Sequence, residues 1–571
     1  MNLAGNEMKA KIHRDDALPE AMAPPLSPGA GFPSTADMLV TGGDARIVCD
    51  PIHGLNKYGC PSAPEPSVLA YGSSTASTIS AASFAAAERL RCRLLEFSDT
   101  ELRPVTYSRE LARIRSELLN LYGLTEFSGV DVIFAASGTD IHLFAAQLAL
   151  EIQRPPLLAI MVEPTETGSG VPPALAGRHF SDCAAFGGPV DSGAPILGGG
   201  AVEISVVAGR DANGSPRSAA IIDAEVAALV ASASAAGRRV LLTMVDVSKT
   251  GLIVPSPACV ADLSHRYPAT TDVLVDACQF RLAPATLRAY LARGFWVAVT
   301  GSKFISGPAF SGALLIPEKA SRRLRGRSMP SSLSGYSARS DWPKGWAIRS
   351  ALADVENYGL LLRWEAALAE IRAFRSLAEP DIAAFLKSFA AAVSRRLTAD
   401  PSFEPVLVPA LDRRPLSSVE TWDNIQTIFP FLLRRPDHDG RYLPLTRDET
   451  QRVNKLLGKD LRAFQGLSRD IMTNENAARR CQLGQPVACG KRNGIAVSGL
   501  RLCLSMRLIA DAVGSHGRGP DAVIAEALTV LDKAALITRT IFRSSSKCFD
   551  RHPSVARSLA PPKLPSGMTR R

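Results

Sequence analysis

A chain of 571 residues with 46% hydrophobic and 21% charged side chains is long enough for two or more packed cores, and that composition excludes wholesale disorder. Much of the formal charge of +10 sits at the C-terminal end, where Arg543–Arg571 holds seven bases against one acid; the remainder is too diffuse for a nucleic-acid groove. The ten cysteines include no C-x-x-C pair and no zinc-ligand spacing, so they read as reduced thiols in the cytoplasm and no metal is expected.

Residues 1–45 are expected to be a loose extension, because proline, glycine and small polar residues dominate 23–35 and do not repay the entropy of ordering. They lack the apolar core of a signal peptide, and no stretch runs about eighteen apolar residues unbroken, so no membrane partner is expected. From about residue 130, short apolar runs alternate with helical patterns. The strand-like runs are 130–136, 157–162, 240–247, 272–275, 295–299 and 312–316, which predicts an α/β domain with a mostly parallel sheet over 46–317. Asp223 is the expected cap of an Ala-rich helix ending at Gly237, and Gly294 closes a helix over 285–293. Gly187-Gly188 and Gly198-Gly199-Gly200 read as surface turns. Beyond residue 318 longer helices follow, at 355–378, 381–397 and 521–542, with a strand at 427–433. These predict a smaller C-terminal α+β domain over 318–542, with a basic tail over 543–571.

Three patterns each end a predicted strand, where a parallel sheet gathers its ligands. Ser137-Gly138-Thr139 opens the helix 140–151, so backbone N–H groups, hydroxyls and the helix dipole suit a phosphate; a plain helix cap is the alternative. Asp276, with Gln279 three residues on, is a strand-end carboxylate that wants a cationic partner or caps the next turn. Lys303, in Thr300-Gly301-Ser302-Lys303 and followed by Gly307-Pro308, is an amine whose burial would lower its proton affinity and suit it to Schiff-base chemistry, or a lysine extending from a strand end toward solvent.

The spacing of the three together resembles the class V branch of fold type I pyridoxal-phosphate enzymes, which includes aminotransferases and cysteine desulfurases. The resemblance covers about residues 70–510. It implies the two-domain α/β transferase-like fold, a homodimer and pyridoxal 5'-phosphate as cofactor. Lys303 would form the Schiff base, Asp276 would pair with the pyridinium nitrogen and Gln279 would reach the phenolic oxygen. Ser137, Gly138, Thr139 and Thr300 would bind the phosphate. Ser248, in Val245-Asp246-Val247-Ser248-Lys249-Thr250-Gly251, would approach the ring oxygen; adjacent Lys249 is the rival Schiff-base lysine. Arg501 would clamp a substrate carboxylate, with Arg507 as the alternative and an ordinary surface arginine as the bland reading of either. The chain departs from the family pattern at Ser302, where a histidine usually precedes the lysine, and at Thr167, the positional match to the ring-stacking histidine.

Such a cofactor supports several reactions on an amino acid or amine, and the fold does not choose among them. An aminotransferase is the leading expectation, with Lys303 shuttling a proton. A cysteine desulfurase-like lyase using Cys481 or Cys489 is the enzymatic alternative, and a noncatalytic scaffold of the same fold is the third. Two further features have bland readings. Asp437-His438-Asp439-Gly440 is expected to be a turn rather than a metal site, and the hydroxyl-rich stretch 71–78 is either a substrate-facing or an ordinary loop.

Overall fold

The computed structural model describes residues 33–98, 103–127, 129–151, 155–196, 202–437, 439–463 and 474–541. The turn at 198–200, His438, the first 32 residues and the tail over 543–571 lie outside them. Strand β1 (Val68–Tyr71) leads into β2 (Asp131–Ala135), β3 (Leu157–Val162), β4 (Val202–Val207), β5 (Val240–Asp246), β6 (Ile253–Val254), β7 (Thr271–Ala277), β8 (Trp296–Thr300) and β9 (Gly312–Ile316). The larger sheet runs β2-β9-β8-β7-β5-β3-β4, with β6 on the side of β5. Its β8, β7, β5, β3 and β4 pair in parallel, while β9 runs antiparallel to both neighbours.

Every residue of β3, β5, β7, β8 and β9 is buried, which explains why those strands read as unbroken apolar runs. Successive side chains serve opposite cores. Leu158, Ile160, Leu242, Val275 and Val297 join one cluster, and Ala159, Met161, Leu241, Leu274 and Trp296 the other, as the two-residue period of a strand requires. Helices cover both faces, so the carboxyl ends of the parallel strands are left to build a site.

The C-terminal half adds β10 (Phe403–Pro405), β11 (Ile428–Pro436), β12 (Tyr442–Pro444), β13 (Arg480–Arg492) and β14 (Ile495–Cys503). They form a second sheet ordered β1-β13-β14-β11-β10, with β12 on β11. The α/β architecture expected from the sequence is present, with local differences; β4 and β13, for example, are not among the expected strands. Residues 33–45 are ordered: the helix Thr35–Leu39 is capped by Ser34, and the buried Arg363 guanidinium donates to the carbonyls of Leu39, Thr41, Gly42 and Phe310. β1 belongs to the C-terminal sheet, pairing in parallel with β13. Asp223 lies inside the helix Ala219–Ala235 rather than at its start, and its carboxylate instead accepts the backbone N–H and hydroxyl of Ser256. The expected helix 355–378 is shorter, Tyr358–Arg375, with Asn357 as its cap.

A buried ion cluster joins the two halves. Arg413 donates two bonds of 2.8 Å to Asp246 at the end of β5 and a third to the Asp423 carbonyl, while Tyr290 donates to the same Asp246 carboxylate.

Candidate active site

A cavity of about 250 Å³ lies where β2, β3, β5, β7 and β8 end, closed by the C-terminal sheet and by the stretch around residues 46–58. It gathers every sequence-predicted cofactor and substrate residue: Ser137, Gly138, Thr139, Thr167, Ser248, Asp276, Gln279, Thr300, Ser302, Lys303 and Arg501. Of the described polypeptide's candidate thiols, Cys481 and Cys489 are not brought to it. Both sit buried in β13, and burial pushes the Cys481 thiol up to about 11 and raises that of Cys489, the opposite of what a nucleophilic thiolate needs. Arg507 is also placed elsewhere, donating to the Thr78 carbonyl.

At the start of the helix Gly138–Ala149, Ser137 Oγ accepts the N–H groups of Thr139 and Asp140, so the serine does cap the helix. The cup nevertheless has a cation that the sequence reading missed. Arg46, half-buried, donates to Thr139 Oγ1 at 3.2 Å and Ser137 Oγ at 3.3 Å while paired with Asp44, and it lies over the ring of Phe310. Burial and the Asp44 charge push the Asp140 carboxyl up to about 7. The floor of the cup is tight: a Cβ on Gly138 would stand 2.8 Å from Cys278 Sγ and 3.3 Å from Thr300 Cγ2. Thr300 spends its hydroxyl proton on the Cys278 carbonyl.

Asp276 ends β7 with a neighbour the sequence reading also missed. His142 Nε2 lies 3.3 Å from Asp276 Oδ2, too poorly aligned for a hydrogen bond but close enough for a charge interaction. His142 Nδ1 lies 2.7 Å from the Gly138 carbonyl, which can only accept, so Nδ1 carries a proton. Burial opposes a second proton on the ring, but the Asp276 charge outweighs it and raises the imidazole above its usual range. Burial likewise pushes Asp276 up, and His142, the Cys278 N–H and Lys303 together hold it well below the carboxylate range. Both directions favour the charged form of the pair. Gln279 donates to the Ser74 carbonyl and leaves its oxygen without a partner.

Two lysines reach the cavity. Lys303 lies in the loop after β8, its carbonyl held by the Ser77 hydroxyl, with Asp276 and His142 as charged neighbours. Lys249 follows β5 and donates to the Pro164 carbonyl at 3.2 Å; burial, then Arg501 and Lys303, bring its amine down to about 7. Ser248 lines the cavity, but its hydroxyl proton is given to Glu166 at 2.6 Å. Glu166 also accepts from Arg210 and Thr250, so this buried carboxylate fixes the loop after β5. Thr167 turns its hydroxyl back to the Glu163 carbonyl.

Arg501, 1% exposed on β14, donates to Thr75 Oγ1, to the Lys249 carbonyl and to the Gln485 carbonyl. The stretch 71–78 is thereby a cavity-facing loop, with Ser74 and Thr75 in the lining. Of the five non-glycine residues with positive φ among the described residues, four, Val247, Phe280, Ser306 and Phe310, flank the site motifs, backbone strain of a kind that concentrates at binding sites. Among the described residues no cluster could hold a metal ion, and no helix is long and apolar enough to cross a membrane.

No family model and no curated protein matches the chain. Among solved structures, mouse CSAD is similar at 15% identity and a TM-score of 0.47, over 83% of this chain and 84% of that one. The cysteine desulfurase CsdA from Escherichia coli gives 14% identity and a TM-score of 0.47, over 83% and 96% of the respective chains. A NifS-like protein gives 12% and 0.49, over 82% and 99%.

Proposed function

We propose that this chain is a pyridoxal 5'-phosphate-dependent enzyme acting on an amino acid or amine, and that its reaction is transamination. The observation that carries the reading is the convergence of Lys303, the Asp276–His142 ion pair and the Ser137-Gly138-Thr139 cup on one cavity. The residues fit the group chemically. Hydroxyls, a helix N-terminus and Arg46 suit a phosphate; Asp276, kept ionised by His142, suits a protonated ring nitrogen; and the unpartnered oxygen of buried Gln279 wants a donor. Asp140, with its carboxyl near 7, can stay protonated beside a dianion.

When bound, pyridoxal phosphate supplies an aldehyde that condenses with amines and a ring that draws electrons from the substrate's α-carbon. The chain's own work is to hold and to move protons. Asp276 would hold a proton on the ring nitrogen of the bound group, a charge-assisted bond worth roughly 1.5–3 kcal/mol. His142 is a positioning residue that keeps Asp276 charged and oriented. Lys303 would be the catalytic amine, carrying a proton to and from the substrate carbon. Arg501 would receive the substrate carboxylate.

Desulfuration is disfavoured because Cys481 and Cys489 are enclosed in β13 with raised thiol pKa. The homodimer belongs to the same proposal and is read by light scattering. The deciding experiment is borohydride reduction of the cofactor-loaded protein followed by peptide mapping. Label on Lys303 is expected. Label on Lys249 would overturn the assignment of the amine, and no label on any lysine would overturn the function.

A further inference from the structure

The seam side of the cavity holds more positive charge than one substrate carboxylate can balance. Arg501 is fully buried, and the partners that take its hydrogen bonds are neutral: the Thr75 hydroxyl and the carbonyls of Lys249 and Gln485, with its Nε left unpartnered. Lys249, one element away, donates only to the Pro164 carbonyl among the described residues. The charged groups facing this amine are Arg501 from β14, Lys303 from the loop after β8, Glu166 from the turn after β3 and Asp276 from the end of β7. Neither acid is free. Glu166 is taken up by Arg210, Ser248 and Thr250, and Asp276 by His142 and the Cys278 N–H.

Two neighbouring cations enclosed without a counter-ion are costly to keep. The depressed proton affinity of Lys249 is a symptom of that cost. A ligand that brings two negative groups removes it. We propose that the substrate is an acidic α-amino acid, with Arg501 receiving the α-carboxylate and Lys249 the acidic group of the side chain. This rests on the reading of the cavity as an amino-acid site. It gives Lys249 a binding role in place of the covalent one.

The sign of the pH dependence follows from the same geometry. Lys249 is charged below about 7, so an acidic side chain binds best there and binding draws a proton onto the amine. Affinity for the acidic ligand then falls as pH rises above that range. An arginine at 249, always charged, would hold its affinity at high pH.

The test uses the full chain with pyridoxal phosphate added, titrated calorimetrically with L-aspartate and L-glutamate against their amides, L-asparagine and L-glutamine, at pH 6.5 and 8.5. A charge-assisted contact predicts a preference for the acids of about tenfold to a hundredfold at the lower pH. The preference should shrink at the higher pH, vanish in Lys249→Met and survive at both pH values in Lys249→Arg. Because Lys249→Met removes an enclosed charge, loss of fold is not expected, and the visible absorbance of bound cofactor reports it independently. Equal affinity for acids and amides with the cofactor bound would overturn this proposal while sparing the function above. Equal preference in wild type and Lys249→Met would overturn the assignment to Lys249. Absence of cofactor absorbance in the wild type would overturn the function itself.

Discussion

The phosphate cup makes a demand that one methyl group tests. Replacing Gly138 with alanine sets a Cβ 2.8 Å from Cys278 Sγ and 3.3 Å from Thr300 Cγ2, and both partners are buried at the ends of fully packed strands. Ordinary contact needs another 0.6 Å or so against the sulfur. The helix start must therefore lift off the strand ends, and overpacking of this size costs about 1–3 kcal/mol. The same shift moves the cup, so affinity for pyridoxal phosphate should drop by about tenfold, a loss of roughly 1.4 kcal/mol. Urea unfolding and an absorbance titration with the cofactor read the two effects separately. Adding Cys278→Ala removes the sulfur, leaving Cys278 Cβ at an ordinary 3.6 Å and Thr300 Cγ2, at 3.3 Å, as the nearest atom. The double variant should then recover at least half of both losses, a coupling expected only of groups in contact. A double variant no better than the sum of the two singles would refute the steric account, and a neutral Gly138→Ala would refute the need for glycine.

Three other outcomes follow from named contacts. Arg413→Ala strands the buried Asp246 carboxylate and should cost about 3–5 kcal/mol in denaturant unfolding, with Arg413→Lys recovering only part because it cannot make the two parallel bonds. Arg46→Met should weaken pyridoxal phosphate about tenfold and flatten the salt dependence of its binding, since it removes the guanidinium charge at the cup; unchanged affinity would remove Arg46 from the site. The His142–Asp276 pair has two pH limits. Its stabilisation is whole below the unfolded histidine value of 6.5, is lost as pH climbs through the raised value in the fold, and is lost again as acid protonates Asp276 below its ordinary 3.8. His142→Gln should therefore lower the urea midpoint near pH 6 and narrow its gap to wild type by pH 9; parallel profiles would mean that the imidazole is neutral.

Six strands of the larger sheet were legible because they are buried on both faces and carry little that is polar until they end, whereas β4, only partly buried along its length, was not read. The polar residues that do end them, Ser137, Asp276 and Thr300, are for that reason the site. What escaped reading has specific causes. β13 contains Gly484, Pro486 and Gly490, which look like breakers; the strand accommodates them at register shifts between Gly484 and Val487 and between Ala488 and Lys491, where an unpaired residue is tolerated. The thiols in it therefore read as loop nucleophiles when they are core. His142 left a faint signal, four residues after Gly138 and so above it on one helix face, but a lone histidine in an Ala-rich helix does not announce a partner more than a hundred residues away. Arg46 left none. Its approach to the cup depends on Arg363 tying residues 39–42 to the Phe310 loop, a contact across more than three hundred residues of sequence.

The charges of the cavity alternate by origin, and that alternation orients a ligand. The cup is positive through the helix N-terminus and Arg46, the end of β7 is negative at Asp276, and the seam is positive at Arg501 and Lys249. A molecule with an anionic end, a cationic middle and a second anionic region is held in one direction and repelled in the other, because reversing it places like charges together in a low-dielectric space. The cup and the carboxylate belong to the large sheet, whereas Arg501 arrives on β14 from the other half. The positive seam therefore exists only while the two halves are docked, and the Arg413–Asp246 bonds that dock them reach the strand end two residues before Ser248 and three before Lys249. Loosening that link should separate affinity for the cofactor, which needs one half, from affinity for the substrate, which needs both: Arg413→Lys should retain pyridoxal phosphate within about threefold yet lose about tenfold in acidic amino acid binding, and an equal loss of both would show that the halves do not act separately.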